Sequence, residues 1–185
     1  MSNRQITIAI DAMGGDDSPY KNLKGAELFI LNKQNVRLIL FGDKNKIVNT
    51  IQTHNIKLNK YDIINCSENV LDDDNANTIL RSRKNSSIYK GLSFVKENTD
   101  IGFVSAGNTA ALMILSRLIL GMIDGIDRPA ICSKIPNKNS FSLMMDLGAN
   151  VQVSANNLMQ FALMGISYFS IIEPNRIPKI GLVNI

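Results

Sequence analysis

Tryptophan is absent from the 185-residue sequence, histidine occurs once and cysteine twice. Each scarcity closes off a class of chemistry. Without tryptophan, and with no arginine-rich run interleaved with aromatics, the chain offers no platform for nucleic acid. The lone His54 sits in a polar helix end with no partner near it in sequence, so it reads as a surface residue. Cys66 and Cys132 lie in separate apolar segments without metal-ligand spacing. They read as buried free thiols of a reducing cytoplasm, and no metal site is expected. A Gly-x-Ser-x-Gly elbow, a Gly-x-Gly-x-x-Gly fingerprint and a P-loop Gly-Lys-Ser/Thr are all missing. An enzyme built on this chain would position reactants and not bond to them covalently. The longest apolar stretch, residues 109–123, carries Arg117 near its middle. It is shorter than the ~20 residues a membrane span needs, so it reads as a core helix. Residues 1–13 hold too short an apolar run for a signal peptide, and no internal repeat or low-complexity linker is evident.

What is present fits a globular protein. Apolar residues make up 45% and charged residues 19% of the chain, and the length suffices for one α/β core. The formal charge of +4 and the sequence pI of about 9.1 favour anionic partners, such as phosphate or an acidic protein.

Strand and helix patterns alternate along the chain. Residues 6–10 form a short apolar run ending in Asp-Ala-Met-Gly-Gly-Asp, which suits a buried parallel strand entering a glycine turn. Ser18-Pro19 predicts a helix start, with Ser18 as N-cap and Pro19 at the first position. Leu23, Ala26, Ile30 and Leu31 give that helix its apolar face. Strands are predicted at 36–41, 61–66, 101–105, 129–133 and 141–145, with a last one beginning at 179–185. Helices are predicted at 46–53, 87–98, from 109 onward, and at 156–169, and residues 68–85 read as a loop. The result is an α/β fold with a mostly parallel sheet covered on both faces. The pair at 129–145 looks more like a hairpin. The chain stops at Ile185 inside an apolar strand, which suggests that something is missing after it.

In open parallel sheets ligands bind beyond the carboxyl ends of the strands. Three polar signatures fall at such ends: 11–16, 105–108 and 146–150. Ser105-Ala106-Gly107-Asn108 is the best anion candidate, because Gly107 lets backbone approach a ligand and the following helix presents unpaired N–H groups. Equally, Asn108 could simply cap that helix and Gly107 simply turn. Gly14-Gly15, flanked by Asp11 and Asp16, is a tight turn with or without a ligand. Arg81, Arg83 and Lys84, followed by Asn85-Ser86-Ser87, could pair with phosphate or an acidic protein, or form a solvated face.

With those stretches read, the chain resembles the bacterial phosphate acyltransferases of phospholipid synthesis. The match is carried by Ile8-Ala9-Ile10-Asp11-Ala12-Met13-Gly14-Gly15-Asp16 with Pro19, and by Arg83-Lys84-Asn85-Ser86-Ser87. Ser105-Ala106-Gly107-Asn108-Thr109 with Ala111-Leu112-Met113, and Gly125-Ile126-Asp127-Arg128-Pro129-Ala130, continue it. Asp146-Leu147-Gly148-Ala149-Asn150 and residues 178–185 complete it. The resemblance implies a truncated three-layer α/β fold similar to isocitrate and isopropylmalate dehydrogenases, forming the N-terminal part of a single catalytic region. It implies transfer of a fatty acyl group from acyl carrier protein to inorganic phosphate, with no cofactor. Ser105, Asn108, Asp11, Asp146 and Asn150 would be catalytic. Gly14, Gly15, Asp16, Gly107, Arg81, Arg83 and Lys84 would bind substrate. It also implies a cytoplasmic homodimer, peripheral at the membrane, feeding a membrane glycerol-3-phosphate acyltransferase. Three departures stand out. Ala110 replaces a usual glycine, residues 72–77 lack a usual proline, and family chains are far longer. An inactive remnant that at most binds phosphate, and a related acyl-CoA transacylase, are the competing expectations.

Overall fold

The computed structural model describes residues 5–183, apart from 32, 34, 71–73, 75–77, 80–81 and 139. The chain divides into two compact units, Met1–Gly121 and Met122–Ile185.

The first unit is built on strands whose alternate residues face opposite layers. Strand β1 (Ile6–Asp11) leads to helix α1 (Tyr20–Ile30), strand β2 (Val36–Gly42), helix α2 (Lys44–Thr53) and strand β3 (Tyr61–Asn65). Helix α3 (Ser87–Glu97), strand β4 (Ile101–Val104) and helix α4 (Thr109–Ile119) follow. The sheet order is β3-β2-β1-β4, with all pairs parallel. On one face Leu38 and Leu40 of β2, with Ile8 and Ile10 of β1, pack against Leu23, Ala26 and Ile30 of α1 and Ile47 of α2. On the other face Ala9, Ile39 and Phe41 meet Phe94 and Val95 of α3. Helix α4 lies beside α3, burying Ala111 and Leu115 against Ile88 and Leu92. Burying each such aliphatic side chain stabilises by roughly 1.5–3 kcal/mol. This is the expected parallel sheet with helices on both faces, a three-layer α/β arrangement.

Gly91 sets how closely α3 approaches the sheet. A Cβ there would lie 2.1 Å from Cε2 of Phe103 on β4, so only glycine allows this helix–strand contact.

The second unit contains strands β5 (Cys132–Pro136) and β6 (Phe141–Met145), paired antiparallel, and helix α5 (Ala155–Ile172). Ser154 caps α5 with a reciprocal capping box to Asn157. Phe169 of α5 packs on Phe141 at 6.0 Å between ring centroids. The hairpin expectation holds, but its first strand lies three residues later than predicted. Residues 129–131 instead supply acceptors and donors to the 146–150 turn: Pro129 O accepts from Asn150 and Ile131 N–H donates to Asp146.

Other boundaries differ for identifiable reasons. Ser18 does not cap α1; its hydroxyl donates to Met13 O at 2.9 Å, and Pro19 occupies the cap position without a side-chain bond. The 109–123 stretch is helical only to Ile119, and among its residues only Ala111 and Leu115, one turn apart, are fully buried. It is therefore a one-sided helix. The strand expected from 179 is absent over the described residues 179–183. No described strand pairs with them, and a strand without a partner leaves its backbone groups to water.

Candidate functional site

The order β3-β2-β1-β4 reverses direction at β1. Strands β2 and β3 extend to one side of it and β4 stands on the other. At such a switch point the loops leaving the two adjacent strands, here β1 and β4, part, which opens a crevice at their carboxyl ends. Residues 11–16 leave β1 there and residues 105–110 leave β4. All of these except Ala12 and Ser105 line a cleft of about 700 Å³, with Asn69, Val70, Ser87 and Ile88 on its remaining wall.

The two loops are fastened to each other. Asp11, 1% exposed, accepts Met13 N–H on Oδ1 at 3.0 Å and the Ser105 hydroxyl on Oδ2 at 2.7 Å. Ser105 Oγ in turn accepts Gly107 N–H at 3.1 Å. Gly14 presses against Gly107 backbone to backbone. A Cβ on Gly14 would stand 2.6 Å from both Gly107 N and Asp11 Oδ2. Asn22, reaching up from α1, donates to Ala12 O at 3.0 Å and Gly14 O at 2.8 Å. Sequence reasoning missed Asn22; its position one turn into α1, beneath the glycine loop, was the available signal.

Asn108 is the N-cap of α4, its Oδ1 accepting Ala111 N–H at 2.9 Å. The cap reading of Asn108 thus holds, and the same turn lines the cleft. The first-turn amides of α4 lack intrahelical acceptors and carry the positive end of the helix dipole. Thr109 and Ala110, on that turn, line the cleft and are exposed. The methyl of Ala110 is therefore not wedged into packed backbone. Gly15, at φ +79°, and Asp16 complete the opposite lip, with Asp16 exposed to solvent.

The basic cluster lies differently. The Arg83 guanidinium makes a two-pronged ion pair with Asp74, Nε to Oδ2 at 2.8 Å and Nη2 to Oδ1 at 3.0 Å. Lys84 is exposed, and neither Arg83 nor Lys84 lines the cleft. Arg81 lies outside the described residues. Instead the segment contributes its end: Ser86 caps α3, and Ser87 and Ile88 reach the cleft wall.

Asp146 and Asn150 belong to the second unit and form a knot of their own. Asp146 accepts Ile131 N–H at 2.9 Å, Ala149 N–H at 3.2 Å, Asn150 N–H at 2.8 Å and the Asn150 side-chain amide at 2.9 Å. Burial raises the Asp146 pKa, but the donors, led by the Asn150 side chain, outweigh it and hold the carboxyl below its usual range. The same Asn150 amide donates to Pro129 O at 2.9 Å. These two residues fix a turn.

Cys66 is buried beside the sheet, and desolvation pushes its thiol up to about 11, so it stays protonated and unreactive near neutrality. Cys132 is only partly buried, short of the burial expected. Among the described residues no group of three His, Cys, Asp or Glu could hold a metal ion. His54 is exposed, its ring 4.4 Å from that of Tyr20.

Comparison with known proteins gives this geometry a family. A family model described as "Fatty acid synthesis protein" matches residues 6–185. The phosphate acyltransferase of Caldicellulosiruptor bescii is 39% identical over 180 residues, covering 97% of this chain and 54% of that protein. That of Wolbachia pipientis wMel is 41% identical over 187 residues, covering 99% and 54%. That of Nitrosococcus oceani is 41% identical over 181 residues, covering 97% and 53%. The chain thus spans about half the length of the curated relatives it matches. With a match running through both units, it belongs to the fatty acid synthesis protein family, alongside the phosphate acyltransferases.

Proposed function

We propose that the protein serves the transfer of a fatty acyl group from acyl carrier protein to inorganic phosphate, giving acyl phosphate for phospholipid synthesis. The observation that carries this is the cleft at the β1/β4 switch point, opening onto the first turn of α4. A phosphate oxygen attacks the thioester carbonyl. The C–O bond forms, the C–S bond breaks, and the carrier thiolate leaves and takes a proton. Such a reaction asks the protein for fixed donors and for exclusion of wrong geometries. Backbone amides at a helix start, held by the Asp11–Ser105–Gly107 chain of hydrogen bonds, suit that task. The Ser105 hydroxyl hydrogen is committed to Asp11, so Ser105 acts by shaping the turn. Gly14, Gly15 and Gly107 bound the phosphate, Asp16 stands on the far lip of the cleft, and Asn108 sets the direction of α4. Asp146 and Asn150 position the second unit's turn. Arg83 and Lys84 lie off the cleft wall and suit the acidic carrier better than the reacting phosphate. No helix among the described residues is long and apolar enough to cross a membrane; in this reading contact with a membrane acyltransferase is peripheral, and the protein works as a homodimer.

A second reading is phosphate binding without turnover. It is favoured by the commitment of Ser105 to Asp11 and of Arg83 to Asp74, and by a cleft wall that carries no cationic side chain among the described residues. The two part in one assay, in which the chain is mixed with acyl carrier protein thioester and release of carrier thiol is followed with and without phosphate. Phosphate-dependent release supports transfer. Phosphate binding with no phosphate-dependent release supports the second reading, and absence of both removes the cleft from consideration.

A further inference from the structure

We propose that Ser87 and the first turn of α3 form a second phosphate-holding wall of the cleft, with the Ser87 hydroxyl donating to a phosphate oxygen. This rests on the reading of the cleft as a phosphate site and adds a binding residue to it.

The argument begins with two adjacent serines. Ser86 is fully occupied: its hydroxyl donates to Arg83 O at 2.6 Å and accepts Tyr89 N–H at 3.3 Å, so it caps α3. Ser87 is the first residue of the helix and is 3% exposed, yet its hydroxyl has no hydrogen-bond partner among the described residues. A buried hydroxyl without a partner costs about 1–3 kcal/mol if it is also sealed from water. It is not sealed, because no described buried side-chain oxygen or nitrogen is cut off from both partner and solvent. What little of Ser87 remains open therefore faces the space it lines, which is the cleft.

The surroundings point to an anion. Ile88, next along α3, also lines the cleft, so the N-terminal, positive end of an 11-residue helix lies at that wall. The first turn of α4, another 11-residue helix, lies at the same cleft through Thr109 and Ala110. Two positive helix ends and the buried, unpartnered Ser87 hydroxyl share one space. Two carboxylates share it as well. Both oxygens of Asp11 are engaged by Met13 and Ser105, and Asp16 is exposed, where solvent screens it. A phosphate group would sit toward the α3 and α4 ends, away from both. Close approach of α3 to the sheet, permitted by Gly91 over Phe103, keeps this wall in place.

The test is calorimetric titration of inorganic phosphate into the intact chain and two variants. Ser87→Ala removes a hydrogen bond to a charged oxygen and is expected to weaken binding about ten- to hundredfold, with the melting temperature unchanged because Ser86 still caps the helix. Ser87→Asp places a carboxylate at a helix start, where the dipole favours it, yet is expected to abolish phosphate binding. Methyl phosphate in place of phosphate separates the sources. Binding of free phosphate alone identifies the reacting anion, and equal or better binding of the ester identifies a phosphate monoester; both place phosphate oxygens at Ser87 provided Ser87→Ala weakens them. If the unaltered chain binds phosphate and Ser87→Ala binds it equally, the Ser87 assignment falls and the cleft reading stands. If the unaltered chain binds neither ligand, both fall.

Discussion

The two units bury their apolar residues very differently. The first closes a four-stranded parallel sheet between helices, and side chains from both strand faces are removed from water. The second has a two-stranded hairpin and one long helix. Among its described hydrophobic residues only Phe161 and Phe169 are fully buried, while Val151, Ile177 and Ile171 are 99%, 94% and 77% exposed. A two-stranded hairpin is marginal without further covering. The difference shows where chemistry can be read with most force. Fixed donors need rotamers and backbone locked by packing, and the β1/β4 cleft is backed by such packing.

The contrast breaks first at the core. Phe41→Ala removes a ring that is 1% exposed and meets Phe94 and Phe103 at 5.6 Å and 6.4 Å. It is expected to cost about 3–5 kcal/mol, whereas Val151→Ala in the second unit should stay within about 0.5 kcal/mol. Urea unfolding followed by far-ultraviolet circular dichroism reads both, and equal losses would show that the two units are built alike after all. Gly14→Ala comes next. Its methyl would meet Gly107 N and Asp11 Oδ2 at 2.6 Å; the first is backbone, and the second is a buried carboxylate held by Met13 N–H and the Ser105 hydroxyl. A loss of about 1–3 kcal/mol is expected, together with weakened phosphate binding as the 105–108 turn is pushed away. A Gly14→Ala protein with normal midpoint and normal phosphate titration would mean that the two loops are not held backbone to backbone.

Much of the first unit was legible because its signals are local. The strands expected at 36–41 and 61–66 became β2 and β3 within a residue; β2 is a buried run rich in Leu, Ile and Phe, while β3 is an edge strand marked only by Ile63 and Ile64. The cleft was legible through placement, because polar residues following strands mark carboxyl ends. Its internal wiring was not. That Ser105 spends its hydrogen on Asp11, 94 residues away, depends on β1 and β4 being neighbours, and periodicity within each strand does not reveal which strands pair. The same gap hid Ser87. In sequence it follows a basic cluster, and its cleft-facing role appears only once α3 lies over β4. Arg83 looked available for phosphate until folding brought Asp74 to it. In the second unit the apolar run from 179 suggested a strand, but a run states a need for burial and does not supply the partner.

Ser86→Ala sharpens the comparison on a smaller scale. It removes the α3 cap and one of the two donors to Arg83 O, the Ser86 N–H remaining, so a loss of about 0.5–2 kcal/mol is expected. Ser87→Ala, one residue later, should leave stability within about 0.5 kcal/mol. Adjacent serines would then divide into one that holds the helix and one that does not. Similar losses in thermal melting for both would mean that Ser87 is also structural.

The smallest expected effect lies in the second unit and depends on pH. Asp146 titrates below the ordinary 3.8 in the folded protein. Its ionised form therefore adds stability at all pH values above the unfolded value, and that contribution is lost as pH falls through the lower folded value. Asp146→Asn removes the charge while keeping the shape, so the unaltered chain should have the higher urea midpoint at pH 7. The gap should begin to close near pH 4 and shrink steadily below it, because a protonated aspartate and an asparagine then present similar neutral groups to Ile131, Ala149 and Asn150. Cys132, on β5 of the same unit, offers a local reporter through its rate of thiol labelling under partial denaturation. A midpoint gap that does not change between pH 7 and the acid limb would mean that packing of the 146–150 turn, and not the charge of its carboxylate, holds the second unit together.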